Sequence, residues 1–95
     1  MIQFHSDLPP ETLAKALAAI IYGDDFPVSV GVPFRPPEFA RGGKEWWELS
    51  YGNDHKLYVY EAGSFAFIDR YNVPERLARA RSVLTELGVV FNQTP

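Results

Sequence analysis

The chain contains no cysteine, only two histidines and no long apolar run. Without cysteine it cannot form disulfides, thiolate zinc sites, iron–sulfur clusters or a cysteine nucleophile. No apolar stretch approaches the ~20 residues that a transmembrane helix needs. The first ten residues, MIQFHSDLPP, lack the basic segment and apolar segment of a signal peptide. These absences predict a cytoplasmic protein that does not enter membranes.

The charge balance is mildly acidic, with 12 acidic and 9 basic residues and a formal net charge of −3. Nucleic-acid-binding domains usually carry an excess of basic residues, so direct binding to nucleic acid is the less favoured hypothesis. The 95 residues are 46% hydrophobic and 22% charged. These values predict a single compact domain over residues 1–95 with an ordinary hydrophobic core.

Two segments show the apolar spacing of helices, residues 8–22 and residues 72–88. The first has Pro9 and Pro10 at its start, where the missing N–H groups cost little, and Gly23 as its stop. In the second, Asn72 and Glu75 have the spacing of a capping box, and Gly88 ends the pattern.

Alternating apolar and polar residues predict four strands between these helices, at 27–33, 45–51, 56–62 and 64–70. The short links between the last three favour an antiparallel meander. A fifth, short edge strand at 89–92 is left open. The sequence therefore predicts an α+β fold in the order α-β-β-β-β-α, with a four-stranded antiparallel sheet and a helix at each end.

Trp46 and Trp47 are adjacent in a predicted strand, so they point to opposite faces of the sheet. The simplest alignment places Trp47, Leu49, Leu57, Val59, Ala66 and Ile68 under the helices. An aromatic face then remains on the other side, formed by Trp46, Tyr58, Tyr60, Phe65 and Phe67. A slip of one residue in the last strand would move Phe65 and Phe67 to the helix side. The sequence leaves two interpretations of the aromatic face open. The face is either buried within the chain or is a surface that binds a partner protein or a second copy of the chain.

The segment between the first two predicted strands, FRPPEFARGG at 34–43, holds two prolines and two glycines and is predicted to be a long loop. Loops of this length often have a binding role. Its side chains, together with the lysine that follows, are candidate partner contacts: Arg35, Phe39, Arg41 and Lys44.

The sequence shows no recognisable pattern of catalytic or metal-binding residues. His55 lies in the sequence GNDHK and is predicted to be a solvated turn histidine, because no nucleophile or orienting group is evident beside it. His5, Asp7, Asp24 and Asp25 do not have the spacing of a metal-ligand set. The sequence therefore predicts no catalytic residue, no metal and no cofactor.

By elimination, the sequence favours a non-enzymatic protein-binding module. We expect a small intracellular inhibitor that occludes the surface of another protein or of a nucleoprotein complex, as phage anti-defence proteins (including anti-CRISPR proteins) and immunity proteins do. A homodimer through the aromatic face is also open. The alternative is a small nucleic-acid-binding domain or toxin-type nuclease, with bases stacked on the aromatic face and phosphates bound by Arg35, Arg41, Lys44 and Lys56.

Overall fold

A computed structural model describes residues 1–23, 28–31, 45–49, 54–61 and 63–92 of the chain. Over these residues the fold is α+β, with two helices and an antiparallel sheet, as the sequence predicts. The elements in chain order are β1 (Ile2–His5), α1 (Pro10–Tyr22), β2 (Ser29–Gly31), β3 (Glu45–Glu48), β4 (His55–Glu61), β5 (Ser64–Asp69), α2 (Pro74–Glu86) and β6 (Val90–Phe91).

Neither described helix has the length and apolarity required to cross a lipid bilayer.

The strands form one six-stranded sheet in the order β2-β3-β4-β5-β1-β6. Strand β1 corrects the predicted element order, which began with a helix. It lies between β5 and β6, with Ile2 opposite Phe67 and Phe4 opposite Phe91. Its alternation of Ile2 and Phe4 with polar neighbours is a strand pattern, although a short one. The short strand left open at 89–92 is present as β6.

Helix α2 ends in a Schellman motif at the predicted glycine. Gly88 has φ 78°, its N–H bonds to the Thr85 carbonyl, and the Val89 N–H bonds to the Leu84 carbonyl. The start of α2 differs from the predicted capping box. The N-cap residue is Val73, which makes no side-chain capping bond, and Asn72 precedes it with φ 47°.

Both helices pack on the same face of the sheet. Leu13 and Leu17 of α1 and Leu84 of α2 are fully buried in one core cluster with the inward side chains of the strands. Those strand side chains are Ile2, Phe4, Leu57, Phe65 and Phe67, and Leu49, which follows β3, is buried with them. Trp47 and Val59 pack against the same cluster.

The register of β5 is the slipped one, so the predicted position of two aromatics is wrong. Phe65 pairs with Val59 and Phe67 pairs with Leu57, and both rings lie in the core beneath the helices. Ala66 and Ile68 take the opposite face instead. We call this opposite side the second face, formed by Trp46, Glu48, Lys56, Tyr58, Ala66 and Ile68.

Candidate functional site

The centre of the second face is an interlocked group of aromatic and charged side chains. Trp46 and Tyr58 are directly opposite on β3 and β4, and their rings meet edge to face at 5.9 Å. The Lys56 ammonium lies 3.9 Å from the centroid of the Trp46 ring and 2.9 Å from Oε1 of Glu48. One lysine thus makes a cation–π contact and an ion pair, which fixes the tryptophan ring in place.

The members of the second face differ in exposure. Tyr58 is 8% exposed, and Lys56 and Ala66 are also buried. Trp46, Glu48 and Ile68 are half-buried. Burial raises the pKa of the Tyr58 hydroxyl above its usual value of 10.0. Of the two tryptophans, Trp46 is therefore the one that presents a partly accessible ring on the side away from both described helices.

The structure brings together only part of the predicted binding set. Trp46 and Tyr58 are neighbours, as the sequence predicts. Tyr60 lies in β4, but its side chain is outside the described residues. Phe65 and Phe67 belong to the core. The predicted loop contacts Arg35, Phe39, Arg41 and Lys44 also lie outside the described residues.

A second constellation surrounds His55, and it corrects the prediction of a solvated turn histidine. His55 is the first residue of β4 and is 2% exposed. It faces the helices, and its ring stacks on Phe67 with an interplanar angle of 16°. The strand that begins at His55 turns the imidazole inward.

Both nitrogens of His55 have partners from distant parts of the chain. The Tyr22 hydroxyl, at the end of α1, bonds to Nδ1. Nε2 lies 3.2 Å from Oδ1 of Asp69, at the end of β5. A carboxylate can only accept, so Nε2 carries the proton and donates it toward Asp69. Nδ1 is then an acceptor, and Tyr22 donates its hydroxyl proton to it.

Burial lowers the pKa of His55 below its usual value of 6.5. The carboxylates of Asp69 and Asp54 oppose this shift, and the Arg76 guanidinium adds to it. Arg76 belongs to α2, and its Nη1 lies 3.4 Å from Nε2 and 3.9 Å from Asp69 Oδ1. The neutral imidazole that results at neutral pH agrees with the hydrogen-bond pattern.

Asp69 also holds the turn that leads into α2. Its Oδ1 accepts the Tyr71 N–H at 3.1 Å, and its Oδ2 accepts the Val73 N–H at 3.2 Å. The carboxylate is fully buried. Two backbone N–H donors thus satisfy this buried anion and fix the turn between β5 and α2.

Sequence reasoning missed the His55 constellation because its members are far apart in the chain. Tyr22, His55 and Asp69 each end or begin a different element, and only the packing of those elements brings them together. The one local signal is the spacing of His55 and Asp69 around the β4–β5 hairpin, where they are directly opposite.

Comparisons of this chain with known protein families, with curated proteins and with solved structures find no match.

Proposed function

We propose that this chain is a non-enzymatic protein-binding module whose second face, centred on Trp46, occludes the surface of a partner protein. The observation that carries the proposal is the position of Trp46. Its ring is partly accessible, and it lies on the side of the sheet away from both described helices. Tryptophan is among the most common anchors of protein interfaces.

The contacts of Trp46 support this role. The Tyr58 ring makes an edge-to-face contact with the Trp46 ring, and the Lys56 ammonium lies over the Trp46 ring. A side chain that is already fixed loses little conformational entropy when a partner binds. The half-buried Glu48 and Ile68 lie in the neighbouring row of the same face and add one polar and one apolar group to it. A partner with a neutral, largely apolar pocket and a polar rim would match this chemistry.

The same contacts weigh against the nucleic-acid alternative. That hypothesis assigns Lys56 to a phosphate, but the Lys56 ammonium is buried and is paired with Glu48. A small intracellular inhibitor, of the anti-CRISPR, anti-defence or immunity-protein kind, remains the class that we propose. A cytoplasmic location belongs to the same proposal.

The test compares three baits in affinity capture from cell extract: wild type, Trp46→Ala, and Arg79→Ala on the exposed side of α2. We expect a partner that is retained by wild type and by Arg79→Ala but is lost with Trp46→Ala. With that partner purified, Trp46→Ala should weaken binding by about 2 kcal/mol or more, which is about 30-fold in Kd. Equal retention on all three folded baits would contradict the proposal.

Light scattering over a range of concentrations separates a second copy from another protein as the partner. We expect a monomer at all concentrations. A dimer that Trp46→Ala dissociates would show that the second face is used for self-association, and it would replace the occlusion hypothesis.

A further inference from the structure

Tyr22, His55 and Asp69 form a hydroxyl–imidazole–carboxylate series. The Tyr22 hydroxyl donates to Nδ1 of His55, and Nε2 of the same ring donates to Asp69 at 3.2 Å. A nucleophile, a base within hydrogen-bond reach, and a third group that orients the base are the parts of an activated nucleophile. Here the two supporting members are buried, and Tyr22 is partly exposed at the end of α1.

We propose that Tyr22 is an activated phenol nucleophile that accepts an acyl group from a small, uncharged activated ester. His55 acts as the base, and Asp69 positions the ring. This inference is independent of the second face, because no member of the series belongs to it.

The acyl class follows from the charges around the site. Two carboxylates and one guanidinium group face His55: Asp54, Asp69 and Arg76. The formal charges of these described groups therefore sum to −1. An anionic phosphoryl donor normally requires an excess of positive charge at its binding site. An uncharged ester carbonyl has no such requirement.

In the acylation step, Oη of Tyr22 attacks the ester carbonyl carbon. A bond forms between Oη and that carbon, and the bond from the carbon to the leaving oxygen breaks. The leaving oxygen departs with the bonding electron pair. The hydroxyl proton of Tyr22 passes to Nδ1 of His55, which becomes an imidazolium held by Asp69, and it is then released to solvent. The products are an acyl-tyrosine and the free alcohol.

The step depends on a neutral His55. The charged and titratable groups that face the ring are Tyr22 from α1, Asp69 from β5, Arg76 from α2, and Asp54 just before β4. Burial and Arg76 favour the neutral imidazole, so the base is available at neutral pH and is lost on acidification.

The first experiment treats the wild-type protein with p-nitrophenyl acetate and locates the acetyl groups by mass spectrometry. Tyr71 is the internal control, because it is 61% exposed and makes no contact with a histidine among the described residues. We expect Tyr22 to be acetylated at least about tenfold faster than Tyr71 at neutral pH, despite its lower exposure, since a positioned base typically contributes more than this. Faster labelling of Tyr71, or acetyl groups on His55 instead of Tyr22, would overturn the proposal.

The pH profile provides a readout that a purely structural role would not change. The rate at Tyr22 should fall below pH 6.5 with the protonation of His55 and stay level above it. Tyr71 has no histidine partner among the described residues, so its rate should show no fall linked to His55. A Tyr22 rate that follows the Tyr71 profile would overturn the role of His55.

Two variants complete the test. Tyr22→Phe should abolish acetylation at this position, and His55→Phe should reduce the Tyr22 rate to that of Tyr71 while keeping an aromatic ring against Phe67. An unchanged Tyr22 rate in His55→Phe would contradict the proposal. If His55→Phe does not fold, the wild-type rates and pH profile still decide the question.

Discussion

The carboxylate of Asp69 lies 3.2 Å from Nε2 of His55, and both side chains are buried at the same end of the sheet. The two residues are directly opposite on β4 and β5. Through their other contacts they reach both helices, because His55 meets Tyr22 of α1 and Asp69 lies 3.9 Å from Arg76 of α2. This pair therefore joins the sheet to each of the elements that cover it.

Acidification should destabilise the protein through His55. Its pKa is lower in the folded state than the usual 6.5, because burial disfavours the imidazolium. As pH falls below about 6.5, the unfolded chain takes up the proton before the folded chain does, so the free energy of unfolding decreases. The loss levels off once His55 of the folded state is also protonated. Urea titrations from about pH 7 to about pH 5.5 measure this slope.

The matched variant for this prediction is His55→Phe, which has no proton to bind at this position. We expect a smaller dependence on pH in the same window. Equal slopes for the two proteins would show that His55 does not control the effect.

Removal of the Asp69 charge should lower the free energy of unfolding much more than removal of the Asp54 charge. Asp69→Asn leaves an amide that cannot accept from His55, Tyr71 and Val73 as the carboxylate does, and we expect a loss of about 2 kcal/mol or more. Asp54 makes only a partly exposed pair with Arg70 at 3.7 Å. Asp54→Asn should cost no more than about 1 kcal/mol. Chemical denaturation gives both values, and similar losses would argue against the buried role of Asp69.

The register of β5 predicts a large effect at Phe67. Its ring is fully buried beneath the helices. Phe67→Ala should reduce the free energy of unfolding by about 3–5 kcal/mol. Val90 is an apolar residue of β6 with 67% exposure, and Val90→Ala should change stability by no more than about 0.5 kcal/mol. Unfolding curves that show a mild loss for Phe67→Ala would indicate that its ring lies on the second face after all.

Two glycines with positive φ should differ in their tolerance of alanine. Gly88 has φ 78° and open space at the position of a Cβ, so Gly88→Ala should cost only the backbone strain of about 1–2 kcal/mol. Gly63 has φ 81°, and its Cβ would lie 3.3 Å from the Ser6 carbonyl oxygen. Because the Ser6 N–H is bonded to the Gly63 carbonyl, that neighbour has little freedom to move. Thermal unfolding should therefore show the larger loss for Gly63→Ala, and the reverse order would contradict this account.

The helices and most of the strands follow from local sequence patterns, but the register of the sheet does not. The spacing of Leu13 and Leu17 identifies α1, and Gly88 marks the end of α2. In β5, however, Phe65, Ala66, Phe67 and Ile68 are all apolar, so alternation cannot indicate which pair faces the helices. Cross-strand hydrogen bonds decide that question, and they depend on the whole sheet.

The candidate sites likewise include one part that local sequence patterns predict and one part that they do not. Trp46 and Tyr58 were predicted to be neighbours because two consecutive strands placed them opposite each other. His55 was misjudged because its environment comes from Tyr22, 33 residues earlier, and from Asp69 and Arg76 later in the chain. A short polar sequence around a histidine is typical of a turn. Such a sequence does not indicate which distant side chains will pack against the histidine ring.

The position of β1 between β5 and β6 has a consequence for synthesis on the ribosome. β1 precedes all the other described elements, yet its two neighbours in the sheet are β5 and β6, so it has no strand to pair with until β5 has been made. Phe4 meets its opposite residue, Phe91, only after nearly every other described residue has emerged. The apolar side chains of β1, Ile2 and Phe4, therefore have no neighbouring strand until β5 has emerged. Such a strand is a recognition site for chaperones that bind extended apolar segments.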